Sequence, residues 1–155
     1  MAPKGPPEPM KSFSMTKPWD RVHVDICGPF PDGSSVLGVI DASTRWPDIH
    51  IINSTKSDTV VSCLEKTFST HGYPETMITD NAPNLVSVDV SSYCSETGIK
   101  HEKSIPYWPQ GNAEIERFYR TLGKAIKTMT AEGRHWKKEI FKFLLSYRNT
   151  FLIAP

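Results

Sequence analysis

The spacing of apolar residues changes period near residue 57, and no all-helical or all-strand fold accommodates that change. Before it come three short runs, residues 22–26 (Val-His-Val-Asp-Ile), 36–40 and 49–52, which alternate or are β-branched. Such runs suit pleated strands, whose successive side chains point to opposite faces. Pro31-Asp32-Gly33 is a turn signal between the first two. After residue 57 the period lengthens. Val60, Val61, Leu64 and Phe68 form one helical stripe behind Ser57 as a candidate N-cap, and Gly72 with Pro74 marks the far end. A short strand at 76–79 runs straight into Asp80. A weaker helix over 86–97, a strand at 99–103, a loop at 105–111 and a long helix at 112–130 follow, with Gly133 as a breaker. The last helix, 136–148, carries Trp136, Ile140, Phe143, Leu144 and Tyr147 on one face. Three strands, then helices alternating with strands, predict an α/β fold in which an antiparallel meander grows into a mixed sheet covered by helices.

The chain has 155 residues, enough for one domain with its own core. Residues 1–17 hold four prolines and almost no apolar pattern, so they are expected to be a disordered tail, part of it foreign to the natural chain; the domain is expected over 18–155. The ending at Ala154-Pro155 reads as an excised fragment. No run of about 18 apolar residues is available for a membrane span, and residues 1–10 lack the apolar core of a signal peptide. An intracellular protein is expected. The net charge of +1 does not announce a nucleic-acid binder, so any such face must come from local clustering. Cys27, Cys63 and Cys94 are far apart and odd in number, which argues for reduced thiols and against a zinc module. The five histidines also lack metal-ligand spacing.

Three carboxylates stand out. Asp25 and Asp80 each end an apolar strand, where a carboxylate is held rigidly enough to fix a cation. Either one alone reads as easily as a turn former. Glu116 lies in the first turns of the long helix, with thirty-five residues between it and Asp80. Relative to Ile115, the residues Phe118, Tyr119, Leu122, Ile126 and Met129 fall within about 60° and make the buried stripe. Glu116, Arg120, Lys124 and Lys127 fall between about 100° and 180°, on an adjacent face that a merely solvated helix would also show. Glu114 is a rival carboxylate but points about 160° away from Glu116. Gathered together, three carboxylates repel unless divalent cations neutralise them, and oxygen-only ligands select hard ions, Mg²⁺ or Mn²⁺.

Thr79-Asp80-Asn81-Ala82-Pro83-Asn84 resembles the T/S-D-N-G-P-Q segment of retroviral and gypsy-type retrotransposon integrases. The run from Pro106 through Tyr107, Trp108, Pro109, Gln110 and Gly111 to Glu116-Arg117 resembles their P-Y-H-P-Q-x-N-G-x-V-E-R segment. Trp19 to Phe30 is similar to the block around their first catalytic aspartate. Phe68 to Pro74 and Ser146 to Thr150 also fit, all in the family's order and with its interval between second Asp and Glu. The resemblance covers residues 17–155. It implies an RNase H-like fold, a five-stranded mixed sheet flanked by helices. It implies Asp25, Asp80 and Glu116 as catalytic residues and ligands of two Mg²⁺ or Mn²⁺ ions. In such enzymes water cleaves a DNA 3′ end and the new 3′-hydroxyl attacks target DNA, with no covalent protein–DNA intermediate. Tyr107, Pro109 and Gln110 match a loop that lies near DNA, and Arg120 and Lys124 are the expected phosphate contacts. Element ends and target DNA would be the partners, a homodimer the assembly and the nucleus the place of action on chromosomal DNA.

Three positions depart from the pattern: Ala82 and Ala113 replace glycine, and Trp108 replaces histidine. Ala82 is strained only if its φ is positive; Trp108 is either a platform for a base or packs under the loop. The family's zinc-binding HHCC domain and its basic C-terminal domain are not in this sequence. Two other readings are a domesticated, integrase-derived module that binds DNA or protein without catalysis, and a nuclease of RNA–DNA hybrids. The 106–117 block argues against the second of these.

Overall fold

The structure, a computed structural model, describes residues 17–103 and 109–153, with the backbone alone at 109–112 and 151–153. The tail expected over residues 1–17 therefore lies, but for Lys17, outside the described residues. The elements in chain order are β1 (Arg21–Cys27), β2 (Ser35–Asp41), β3 (Pro47–Ile52), α1 (Ser57–His71), β4 (Thr76–Thr79), α2 (Val88–Thr97), β5 (Lys100–Lys103), α3 (Pro109–Ala131) and α4 (Trp136–Ile153).

The expected meander is present: β1 pairs antiparallel with β2, and β2 antiparallel with β3. On its other side β1 pairs parallel with β4, and β4 parallel with β5. The result is one mixed five-stranded sheet in the order β3-β2-β1-β4-β5. A parallel neighbour requires a crossover, and α1 supplies the one between β3 and β4.

Alternation along β1 divides the core in two. Val22 and Val24 face α1 and α2, joining Leu37, Val39, Met77, Val60, Leu64, Phe68 and Val90. The opposite face of the sheet, with Val36, Ile40 and Ile49, meets Phe118, Leu122 and Ile126 of α3 and Trp136, Ile140 and Leu144 of α4. Every residue of β2 is buried because both faces are covered. The layers are helix, sheet, helix, the arrangement expected from the sequence.

Four helix boundaries differ from the sequence expectation. Ser57 is the first helical residue of α1 rather than its cap; Lys56 takes the extended N-cap position and makes no side-chain cap bond. In α2 the cap is Ser87, whose hydroxyl accepts from the Val90 N–H at 3.3 Å, so the helix starts two residues later than expected. The long helix α3 starts at Pro109, inside the expected loop. Proline suits a first helical turn, since its φ is already helical and its missing N–H is not needed there. At the other end α4 continues past Arg148 to Ile153.

Candidate active site

Asp25 is the fifth residue of β1, and Asp80 is the first residue beyond β4. The parallel register pairs Arg21 with Thr76, Val22 with Met77 and His23 with Ile78. Continued two steps, it sets Asp25 level with Asp80 on neighbouring strands, which run about 4.8 Å apart. Both lie on the face toward α3, in phase with His23 and Cys27. The sheet thus brings together two carboxylates from distant parts of the chain.

Local hydrogen bonds fix each of them. One Asp25 oxygen, Oδ1, accepts from the Ile26 N–H at 2.8 Å. Oδ1 of Asp80 accepts from the Ala82 N–H at 2.9 Å, closing a tight turn just after the strand. Trp19 and Arg45 are the non-glycine residues with positive φ among those described. Ala82 is therefore not in that region, and alanine sits in this turn without the strain that a glycine-only conformation would impose.

Burial pushes the Asp25 carboxyl above the usual carboxylate range; the Ile26 N–H opposes the rise and the Asp80 charge adds to it. A half-buried carboxylate facing a second one is an electrostatic cost that a hard cation would remove. The donor chemistry of the pair, carboxylate oxygen, fits Mg²⁺ or Mn²⁺.

Glu116 is exposed on α3. Tyr119, one turn later, lies over Gly38, and its hydroxyl donates to the Asp25 carbonyl at 3.4 Å. Gly38 is the residue paired with Asp25 across β1 and β2, so α3 passes directly over this pair of strands. Gly123 approaches the Cys27 sulfur in the same way one turn further on. Glu114, the rival carboxylate, is ion-paired with Arg45 of the turn between β2 and β3. Among the described residues no group of three His, Cys, Asp or Glu side chains stands close enough to hold a metal ion. The structure joins Asp25 to Asp80 and leaves Glu116 on the adjoining helix.

Arg120 and Lys124 are exposed on α3. Lys124 borders an open groove of about 560 Å³ between α3 and α4, with Thr121, Thr128 and Lys142 on its walls. Tyr107 lies outside the described residues, and Pro109 and Gln110 contribute only backbone, as the first residues of α3. Sequence reasoning missed the Gly38–Tyr119 approach and the Arg45–Glu114 pair. A lone glycine in an apolar strand was the available signal for the first, since it marks a close neighbour without saying which. All three cysteines are free thiols. No helix among the described residues is long and apolar enough to cross a membrane.

The model of a family described as integrase core domain matches residues 15–109, a stretch that holds both aspartates and ends before Glu116. An uncharacterized protein of Caenorhabditis elegans is 41% identical over 133 residues, which are 86% of this chain and 10% of that protein. The Pro-Pol polyprotein of feline foamy virus is 25% identical over 153 residues, 96% of this chain and 13% of the polyprotein. The chain thus spans only about a tenth of the length of these relatives. Among solved structures, the catalytic core domain of BIV integrase superposes with a TM-score of 0.69 at 16% identity, covering 83% of this chain and 82% of that one. A chain of the simian T-cell lymphotropic virus intasome gives 0.68 at 20% identity, covering 83% and 47%. The expected RNase H-like, five-stranded mixed sheet is the fold these structures share with this chain.

Proposed function

Since the chain belongs to the integrase core domain family, we propose that it is a divalent-metal-dependent polynucleotidyl transferase that processes DNA 3′ ends and joins them to target DNA. The observation that carries the proposal is the placing of Asp25 beside Asp80 by the parallel register of β1 and β4. Asp25 lies within β1 and Asp80 one residue past β4, and strands position such groups more precisely than loops do.

In this reading Asp25 and Asp80 are the fixed ligands, and Glu116 adds the third carboxylate from α3. Two Mg²⁺ or Mn²⁺ ions bound by this set would activate the attacking oxygen and stabilise the leaving one in an in-line displacement. Asp25 is paired with Gly38 of β2, and its carboxylate accepts from the Ile26 N–H, which keeps its oxygens in one place as substrate arrives. The Asp80 turn presents its exposed carboxylate just past the C-terminal end of β4, where a phosphate can approach. Arg120 and Lys124, following Glu116 along the helix, are suited to hold DNA phosphates on the same side. Ion-pairing of Glu114 with Arg45 leaves Glu116 as the carboxylate at this end of α3 that is free to serve. The homodimer remains our proposal for the assembly, with Phe141 and Leu145 of α4 as large apolar groups exposed on the single chain.

The test is reversal of strand transfer on a branched DNA substrate in Mn²⁺ or Mg²⁺, comparing wild type with Glu116→Gln. Activity in the wild type and none in the variant is the expected outcome. Equal activity in both would remove Glu116 from the site. The standing of Glu116 apart from the aspartates favours one other reading, a family-derived module that binds DNA or protein without catalysis. Inactivity of both proteins, with Mn²⁺ shown to bind, would support that module.

A further inference from the structure

We propose that His101 is a positioning residue for Asp80, acting from the opposite face of the sheet through the hydroxyl of Thr79. The inference rests on reading Asp80 as a cation-binding carboxylate, and it names what keeps that carboxylate in place.

Thr79 is the last residue of β4 and is only 1% exposed. The register of β4 and β5 pairs Met77 with His101. Met77 is buried on the α1 and α2 side, so His101 shares that side, and Thr79, two residues on from Met77, shares it too. Asp80 is the next residue and points the other way, toward α3. The strand end therefore carries a hydroxyl on one face and the carboxylate on the other.

Two contacts meet at that hydroxyl. Oγ1 of Thr79 lies 2.9 Å from the Asp80 carbonyl oxygen and 2.7 Å from Nε2 of His101. A hydroxyl has one proton to give and can accept as well. Its proton goes to the carbonyl, which can only accept. The imidazole must then donate, so His101 carries its proton on Nε2. A neutral ring in that tautomer does this at pH 7. Burial, and secondarily the Lys103 charge, holds the His101 pKa below its usual value, in keeping with a neutral ring.

The chain of donors, imidazole to hydroxyl to carbonyl, pins the Asp80 backbone from beneath. Its own carboxylate pins the turn from above through the Ala82 N–H. The pairing of β4 stops at Ile78 on the β1 side and at Thr79 on the β5 side, one residue short of Asp80. The relay supplies the missing restraint at the residue where orientation matters most. Groups that orient a ligand in this indirect way typically change metal affinity about 10- to 100-fold when removed.

The experiment uses the whole chain with Thr79→Val, His101→Leu, His101→Gln and the Val/Leu double variant, each checked for folding by its urea midpoint. The first reading needs no metal: hydrogen exchange at the Ala82 amide. Thr79→Val and His101→Leu should each speed it by about tenfold, and the double variant no further, because one relay is broken once. His101→Gln, whose amide can still donate, should stay near wild type. The second reading is Mn²⁺ affinity by calorimetry, expected to fall about tenfold in the same variants and recover in His101→Gln. Unchanged Ala82 exchange, or additive effects of the two single variants, overturns the relay. Full Mn²⁺ affinity in Asp80→Asn overturns instead the reading of Asp80 as a ligand. An unfolded leucine variant would leave the valine and glutamine variants to decide.

Discussion

Replacing Gly38 with alanine probes the contact between α3 and the sheet beside Asp25. A methyl group there would land on the Tyr119 hydroxyl oxygen and stand 3.0 Å and 3.1 Å from Cζ and Cε1 of that ring. Carbon atoms need about 3.5 Å or more between them, so the ring must retreat by a substantial part of an ångström. The helix cannot simply slide away with it. Phe118 on one side of Tyr119 is 1% exposed, and Leu122 and Ile126 beyond it are fully buried. The ring must leave its rotamer, or the first turns of α3 must bend outward. Overpacking of this kind costs about 1–3 kcal/mol. Tyr119→Phe alone should cost little, since the hydroxyl's bond to the Asp25 carbonyl is long at 3.4 Å. In Gly38→Ala it should restore part of the loss, because the worst contact goes while those to the two carbons remain. The coupling between the two changes should be about 1 kcal/mol in the stabilising direction. Urea unfolding followed by tryptophan fluorescence measures all four corners of the cycle. Gly38→Ala within about 0.5 kcal/mol of wild type, or purely additive changes, would refute the packing argument. Glu116 is carried three residues before Tyr119, so Gly38→Ala should also weaken Mn²⁺ binding.

Two further predictions follow from burial and charge. Burial, and secondarily the Arg21 charge, lowers the His23 pKa from its usual 6.5 to about 4. The unfolded chain therefore takes up the proton first, and the stability that the neutral ring contributes is present above about pH 6.5 and lost as pH falls toward 4. The loss should be on the order of 3 kcal/mol. The stability difference between wild type and His23→Asn, measured by urea unfolding, should shrink by that amount between pH 7.5 and 4; parallel pH curves would contradict it. Among the thiols, Cys63 and Cys94 are buried while Cys27 is half-buried, so a thiol reagent should find Cys27 first. Burial raises the Cys27 pKa first and the Asp25 charge raises it further, so Asp25→Asn should speed that reaction, and an unchanged rate would count against the placing of Asp25.

Much of this architecture was legible because period carries it. Alternation at residues 22–26 and the stripe of Val60, Leu64 and Phe68 each report a single buried face, and the structure buries those faces. What the period does not carry is the partner. Nothing local to Asp25 names Asp80; the register that joins them is set by β1 lying between β2 and β4. The sequence reading takes residues 105–111 as a loop and opens the long helix at residue 112, whereas Pro109, a good first-turn residue, already starts α3. His101 has no informative spacing in the sequence, because its partner Thr79 comes from a different strand. Glu114 and Arg45 meet only once the turn between β2 and β3 is placed against α3. Tertiary contacts of this kind leave residue types behind in a sequence, but no spacing.

The central strand has neighbours of very different reach along the chain. Its pairing with β2 closes a short hairpin, from Cys27 to Val36 at the near end. Its pairing with β4 must wait for a crossover that includes β2, β3 and all of α1. Closing the longer loop costs more chain entropy before any contact offsets it, so contacts of that separation form late. The hairpin half of the sheet can assemble early and carries Asp25 alone. Asp80 arrives only when the crossover docks, and the repulsion between the two carboxylates then falls on the last pairing to form. On the proposed reading of the pair as cation ligands, a hard cation in the medium would lessen that repulsion and so aid folding at the step that joins β4 to β1.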